Sequence, residues 1–119
     1  MSWFISKIIF EVDCGVPRQH RQFEEQLRLV EATNPIEAYH KAVAIGQKGQ
    51  ESFLNQNQKV ITWKFINVEE IRALDNWHDG MELNSIIKEV EDAQAYVNFV
   101  NDKASDFREN VFKDLVTTT

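Results

Sequence analysis

The side chains in this chain best suited to bind a metal, or to act as base or nucleophile, are His20, His40, His78 and Cys14. A metal needs ligands at short, paired spacing, so that two donors share one turn or one helix face. These four are scattered without such pairing, and neither a metal nor another cofactor is expected. Cys14 follows Asp13, whose charge opposes the thiolate that a reactive cysteine requires, so its reading is structural. The most enzyme-like stretch is Trp77-His78-Asp79, where imidazole and carboxylate beside an aromatic ring could do acid–base work. Asp79-Gly80 are also turn residues, and a hairpin loop with Trp77 folded over the core edge accounts for the same stretch. Glu24 and Glu25 are neighbours in a predicted strand and point to opposite faces, which excludes a carboxylate pair. Gly46-Gln47-Lys48-Gly49 falls at a predicted helix C-terminus, where the dipole disfavours phosphate.

Trp63-Lys64-Phe65 resembles a base-stacking platform with a cationic partner. Strand alternation separates the pieces: Trp63 and Phe65 share a face with Ile61, and Lys64 points to the other. Charge argues the same way. With 19 acidic against 13 basic residues the net charge is −6, and Arg18 and Arg21 are the only close basic pair, so nucleic acid is disfavoured as a partner. The opening MSWFISKIIF runs directly into Glu11 and Asp13, too short an apolar stretch to span a bilayer, and reads as folded sequence. A single cysteine excludes an intramolecular disulfide and fits a reducing, cytoplasmic setting.

The elements that must position these residues follow from periodicity. Residues 3–12 are apolar on both faces, as expected of an interior strand. Gly15-Val16-Pro17 breaks it, and a connection containing Arg18 and His20 leads to residues 22–32. There Phe23, Leu27 and Leu29 share one face and Gln22, Glu24, Gln26 and Arg28 the other, predicting an antiparallel strand with one wet side. Asn34-Pro35-Ile36-Glu37 carries a cap, a first-turn proline and a capping-box glutamate, which predicts a helix over 34–48. Its apolar stripe is Ile36, Tyr39, Ala42, Val43 and Gly46, with Gly46 and Gly49 threatening its continuation. Phe53 and Leu54 lead into a polar turn at 55–58. Residues 59–74 predict a long strand whose apolar parity switches near Phe65-Ile66, a sign of a bulge or of two-sided burial.

After the loop at 75–80, alternation of Met81, Leu83, Ser85 and Ile87 predicts a fourth strand. The period then becomes helical over 89–116, with Val90, Ala93, Val97, Val100, Ala104, Phe107 and Val111 as a seam. The expected fold is α+β: a four-stranded, mainly antiparallel sheet in the order β-β-α-β-β, one helix on a face, and a long C-terminal helix on the other face or at a dimer interface. Residues 1–88 form the core and 89–119 a helical extension of the same domain.

Residues 3 to about 85 resemble the bacterial Domain of Unknown Function 4288 family. The likeness is carried by Trp3-Phe4, by Phe23-Glu24-Glu25 followed by Leu27-Arg28-Leu29-Val30-Glu31-Ala32, and by Glu37-Ala38 with Ala42 and Gly46. It continues through Asn55, Val60, Trp63 and Phe65 to Asp79-Gly80-Met81-Glu82. Departures are Phe53 where a tyrosine is usual, no glycine in the Asn55–Lys59 turn, and no tyrosine beside Ser85. The resemblance implies a compact α+β domain and no reaction.

Three functional expectations stand at this level. The first is a non-enzymatic cytoplasmic interaction module whose partner is another protein or a second copy, a homodimer, with no nucleic acid or membrane. The second is a small-molecule or hydrolytic site lined by Trp63, Trp77, His78, Asp79 and Tyr39. The third is an immunity-like protein neutralising a basic toxin domain, suggested by small size and acidity.

Overall fold

The computed structural model describes residues 1–15 and 20–117. Two units are distinguished by their internal contacts, Met1–Met81 and Glu82–Thr119. The first contains β1 (Ser2–Asp13), β2 (Gln22–Ala32), α1 (Pro35–Lys48), β3 (Glu51–Leu54) and β4 (Val60–Ala73); the second contains α2 (Ala93–Thr117). All strand pairs are antiparallel and the spatial order is β2-β1-β4-β3. The fold is therefore α+β with β1 interior, as its two-sided apolar pattern predicts. The expected connection through Val16, Pro17 and Arg18 lies outside the described residues, as do Thr118 and Thr119.

One strand of the expected four is replaced by another. Residues 81–88 do not form a strand, and the fourth strand is β3, a four-residue segment that pairs Leu54 with Val60 and Glu51 with Trp63. Alternation permits a strand but does not supply a partner edge. Residues 51–54 are delivered to the edge of β4 by a five-residue turn, at little loop-closure cost. That turn is built by Asn55, whose side-chain oxygen accepts from the backbone N–H of Asn57 and Lys59 at 2.9 and 3.0 Å. Gln58 closes it with φ 59°, the left-handed region where glycine is usual.

The parity switch in β4 is a bulge. Ile9 pairs with Asn67 and Phe10 with Phe65, leaving Ile66 unopposed, and a second shift between Lys7 and Ile8 leaves Glu69 unopposed. The second bulge presents the Glu69 carboxylate to Lys7, whose ammonium lies 3.4 Å from it and 3.2 Å from Glu25. The hydrogen bond to Glu25, supported by Glu69, raises the Lys7 pKa above its ordinary value.

Helix α1 begins as expected: Asn34 accepts from the Glu37 N–H at 2.8 Å, and the Glu37 carboxylate takes the Thr33 hydroxyl, which holds its pKa below the ordinary value. The helix runs through Gly46 without interruption. Its buried stripe is Ala38, Ala42 and Gly46, whereas Ile36 points outward at 71% exposure and Tyr39 is also exposed. Small side chains win this face because they let the helix lie close on β1, β2 and β4. The core between α1 and the sheet is Phe4, Ile8, Phe10, Val30, Ala32 and Val68, with Trp63 and Phe65 packed at its margin. Ser6 is fully buried in the same row and donates its hydroxyl to the Arg28 carbonyl at 3.0 Å.

Register decides which face of β2 meets α1. Phe10 pairs with Glu24, Ile8 with Gln26 and Ser6 with Arg28, so the polar set lies on the side of the sheet that carries α1. Phe23, Leu27 and Leu29 lie on the opposite side and are 52, 51 and 52% exposed. Helix α1 starts next to Ala32 at the end of β2 and ends against Ile8 and Phe10 of β1 and Phe65 of β4, so Val30 and Ala32 are buried and the N-terminal half of β2 is left uncovered.

The second unit holds one helix. It starts at Ala93, four residues later than expected, because Asp92 caps it, accepting from the Ala95 N–H at 3.0 Å. Val90 thus precedes the helix. Tyr96, Val97, Val100, Phe107, Val111 and Leu115 form an apolar stripe and are all exposed.

Candidate functional site

The sheet beyond the end of α1 forms a cleft of about 290 Å³. Its floor is Phe10 and Trp63; one wall is Glu24, Gln26 and Arg28 from β2, and the other is Gly49 and Glu51. Each part has a local cause. Gly49 ends α1, and a Cβ there would lie only 3.0 Å from the Phe10 ring, so glycine allows the chain to turn close over the floor. Trp63 is held flat by Phe53, its ring centroid 5.3 Å away at an interplanar angle of 20°. The β2 wall is a hydrogen-bonded row: Arg28 Nε donates to Gln26 Oε1 at 2.9 Å, and Gln26 Nε2 donates to the Glu24 carboxylate. The row therefore carries a cation at one end and an anion at the other.

The residues expected to line one ligand site are instead in three places. Trp63 belongs to the cleft just described, beside Val12 near the end of β1. Trp77 packs edge-on against Trp3 with centroids 6.2 Å apart, and its indole N–H donates to the Leu74 carbonyl at 3.1 Å. From Trp3 to Val12 the strand runs roughly 30 Å at about 3.3 Å per residue, so these indoles cannot share a ligand. Tyr39 lines a shallow, mainly apolar groove of about 340 Å³ between the start of α1 and β4, its hydroxyl donating to Asn67 at 3.1 Å. His78 and Asp79 are exposed, and the imidazole Nδ1 lies 2.8 Å from the Asn76 carbonyl of its own loop. Trp77, His78 and Asp79 share one loop, but Trp63 and Tyr39 stand on other elements, so kinship in chemistry does not translate into one site.

What the reading by periodicity missed is the polar row on β2. Its signal was present as the alternation Glu24, Gln26, Arg28, but alternation gives a wet side without saying which side α1 covers. Near the same end of the sheet, Glu11 accepts two hydrogen bonds from the Arg21 guanidinium, each 2.6 Å, and this pairing lowers the Glu11 pKa from its ordinary value. Among the described residues, no three His, Cys, Asp or Glu side chains converge as a metal site would require. No helix of the described residues is long and apolar enough to cross a membrane.

The outer edge of β2 is the remaining feature with recognition potential. As the terminal strand of the sheet it presents backbone N–H and C=O groups over Gln22–Val30, the Glu31 carbonyl being taken by the Lys41 ammonium at 2.6 Å, with no proline, no lysine and no bulge in its pairing with β1. The opposite edge, β3, is four residues long.

A family model described as Domain of unknown function (DUF4288) matches residues 3–85. No curated protein and no solved structure matches the chain.

Proposed function

Since the chain belongs to the DUF4288 family, whose description assigns no reaction, we propose that it is a non-enzymatic interaction module that associates with a second copy of itself. One observation carries this reading. A long edge strand bears Phe23, Leu27 and Leu29, each about half exposed, on the face away from α1, where an isolated domain would place polar side chains. The exposed stripe of α2 is a second apolar surface, with Val97, Val100 and Phe107 at helical spacing. Two alanines within the expected seam, Ala93 and Ala104, make that stripe a weak coiled coil by itself.

The experiment is multi-angle light scattering on the full chain over a concentration series. The expected mass is twice that of the 13.9 kDa chain. A single-chain mass at every concentration overturns the reading.

A further inference from the structure

We infer that the second copy is bound edge to edge, β2 against β2, in an antiparallel register centred on Gln26. This deepens the self-association proposed above and rests on it.

Four observations converge. First, β2 ends the sheet, and its 11 residues are about double the usual strand length, whereas the other side consists of the four-residue β3 and of a β4 bulged at Ile66 and Glu69. Second, its pairing with β1 runs from Ser2–Ala32 to Val12–Gln22 without a bulge, so the free edge is not twisted away from an incoming strand. Third, its polar row has the Arg28 cation at one end and the Glu24 carboxylate at the other, with Gln26 bonded to both. A second copy related by a two-fold axis reverses that row and meets it with opposite charge at both ends. Fourth, the outermost apolar residues of the other face, Phe23 and Leu29, meet each other in the same register.

With Gln26 opposite Gln26, Glu24 faces Arg28 twice on the α1 side. On the other side Phe23 faces Leu29 twice, and between these pairs Glu25, already neutralised by Lys7, faces Leu27. Neighbouring registers are poorer. A centre at Glu25 or at Arg28 sets like charges against each other across the axis, and a centre at Leu27 places Glu24 against Val30. A two-fold axis normal to the sheet keeps faces together, so the product is one eight-stranded sheet with both α1 helices on the same side, a form of strand addition. The contact is isologous and closes at two copies, because the two-fold axis uses the β2 edge of both chains.

Charge reversal on the full chain tests the register. Glu24→Arg sets a second guanidinium against Arg28 of the other copy, and Arg28→Glu sets two carboxylates together; each variant is expected to weaken the dimer roughly tenfold or more. An equimolar mixture of the two variants restores opposite-charge pairing, so a heterodimer is expected, as is a homodimer from the double variant. Circular dichroism checks that each variant is folded; if either single reversal unfolds the chain, Gln26→Glu, which places two carboxylates across the axis, is read in its place and is expected to weaken the dimer. Unchanged dimers in all variants overturn this inference and leave self-association standing on another surface. Folded single variants that dissociate but do not recombine overturn the register. A wild-type chain that is monomeric throughout overturns both readings.

Discussion

The Phe65 ring occupies the space that a β-carbon on Gly46 would need. Gly46 is buried in the last turn of α1, and Phe65 stands on β4 with its ring edge-on to Phe10, centroids 6.1 Å apart. The helix and the aromatic layer beneath it are thus fitted to each other through one missing methyl group. Gly46→Ala should destabilise the protein by about 1–3 kcal/mol, although alanine improves helix propensity by up to about 1 kcal/mol. Thermal unfolding by circular dichroism checks the sign. Placing the same change in a Phe65→Leu background should reduce its cost, since the ring is the obstacle.

Gln58 closes the β3–β4 turn with φ 59°. A side chain in the left-handed region costs roughly 1–2 kcal/mol, and glycine removes most of it while adding unfolded-state entropy. Gln58→Gly is expected to raise stability by up to about 1 kcal/mol in urea unfolding, whereas Gln58→Val should lower it. Equal stability for all three chains would mean that the turn relaxes around position 58.

Asn34 caps α1 through its contact with the Glu37 N–H. Asn34→Ala should cost about 1 kcal/mol and Asn34→Asp much less, since aspartate offers the same acceptor and suits the positive end of the helix. Denaturant midpoints of the three proteins decide this.

The Glu11–Arg21 pair makes stability depend on acid pH. Its hydrogen bonds to Arg21 hold Glu11 below its ordinary pKa in the folded chain. A lowered carboxylate contributes stability that is complete above the ordinary glutamate range and is lost as pH falls through the folded value. The stability difference between wild type and Glu11→Gln should therefore be largest near neutrality and shrink on acidification below that range. Urea midpoints measured across pH would show it, and added salt should narrow the gap because the guanidinium is largely exposed. A difference that stays constant with pH would assign the effect to something other than this ion pair.

Legibility varied by element for identifiable reasons. The start of α1 at Asn34-Pro35, the polar turn after Leu54 and the bulge at Ile66 were readable because cap, turn and parity signals lie within a few residues of one another. The alternation of Met81, Leu83, Ser85 and Ile87 was equally regular and yet forms no strand, whereas residues 51–54, brought back by a five-residue turn, pair with Val60–Trp63 of β4. The residues expected to line one ligand site are dispersed for a related reason. Trp63, Tyr39 and Trp77 are each suited to line a pocket, but β1 holds the two indoles at opposite ends.

Chemistry between near neighbours in the chain is enough to specify the α+β class, the interior position of β1, the cap of α1 and the helical period of the C-terminal segment. Which side of β2 meets α1 is settled only by packing across the sheet, and that packing places Glu24, Gln26 and Arg28 around a cleft and leaves Phe23, Leu27 and Leu29 half exposed. Both faces of that strand alternate cleanly, so periodicity cannot choose between them. The choice falls to the close fit of Ala38, Ala42 and Gly46 on the sheet, and to a helix that ends over Phe65, Ile8 and Phe10 of β4 and β1 rather than over β2.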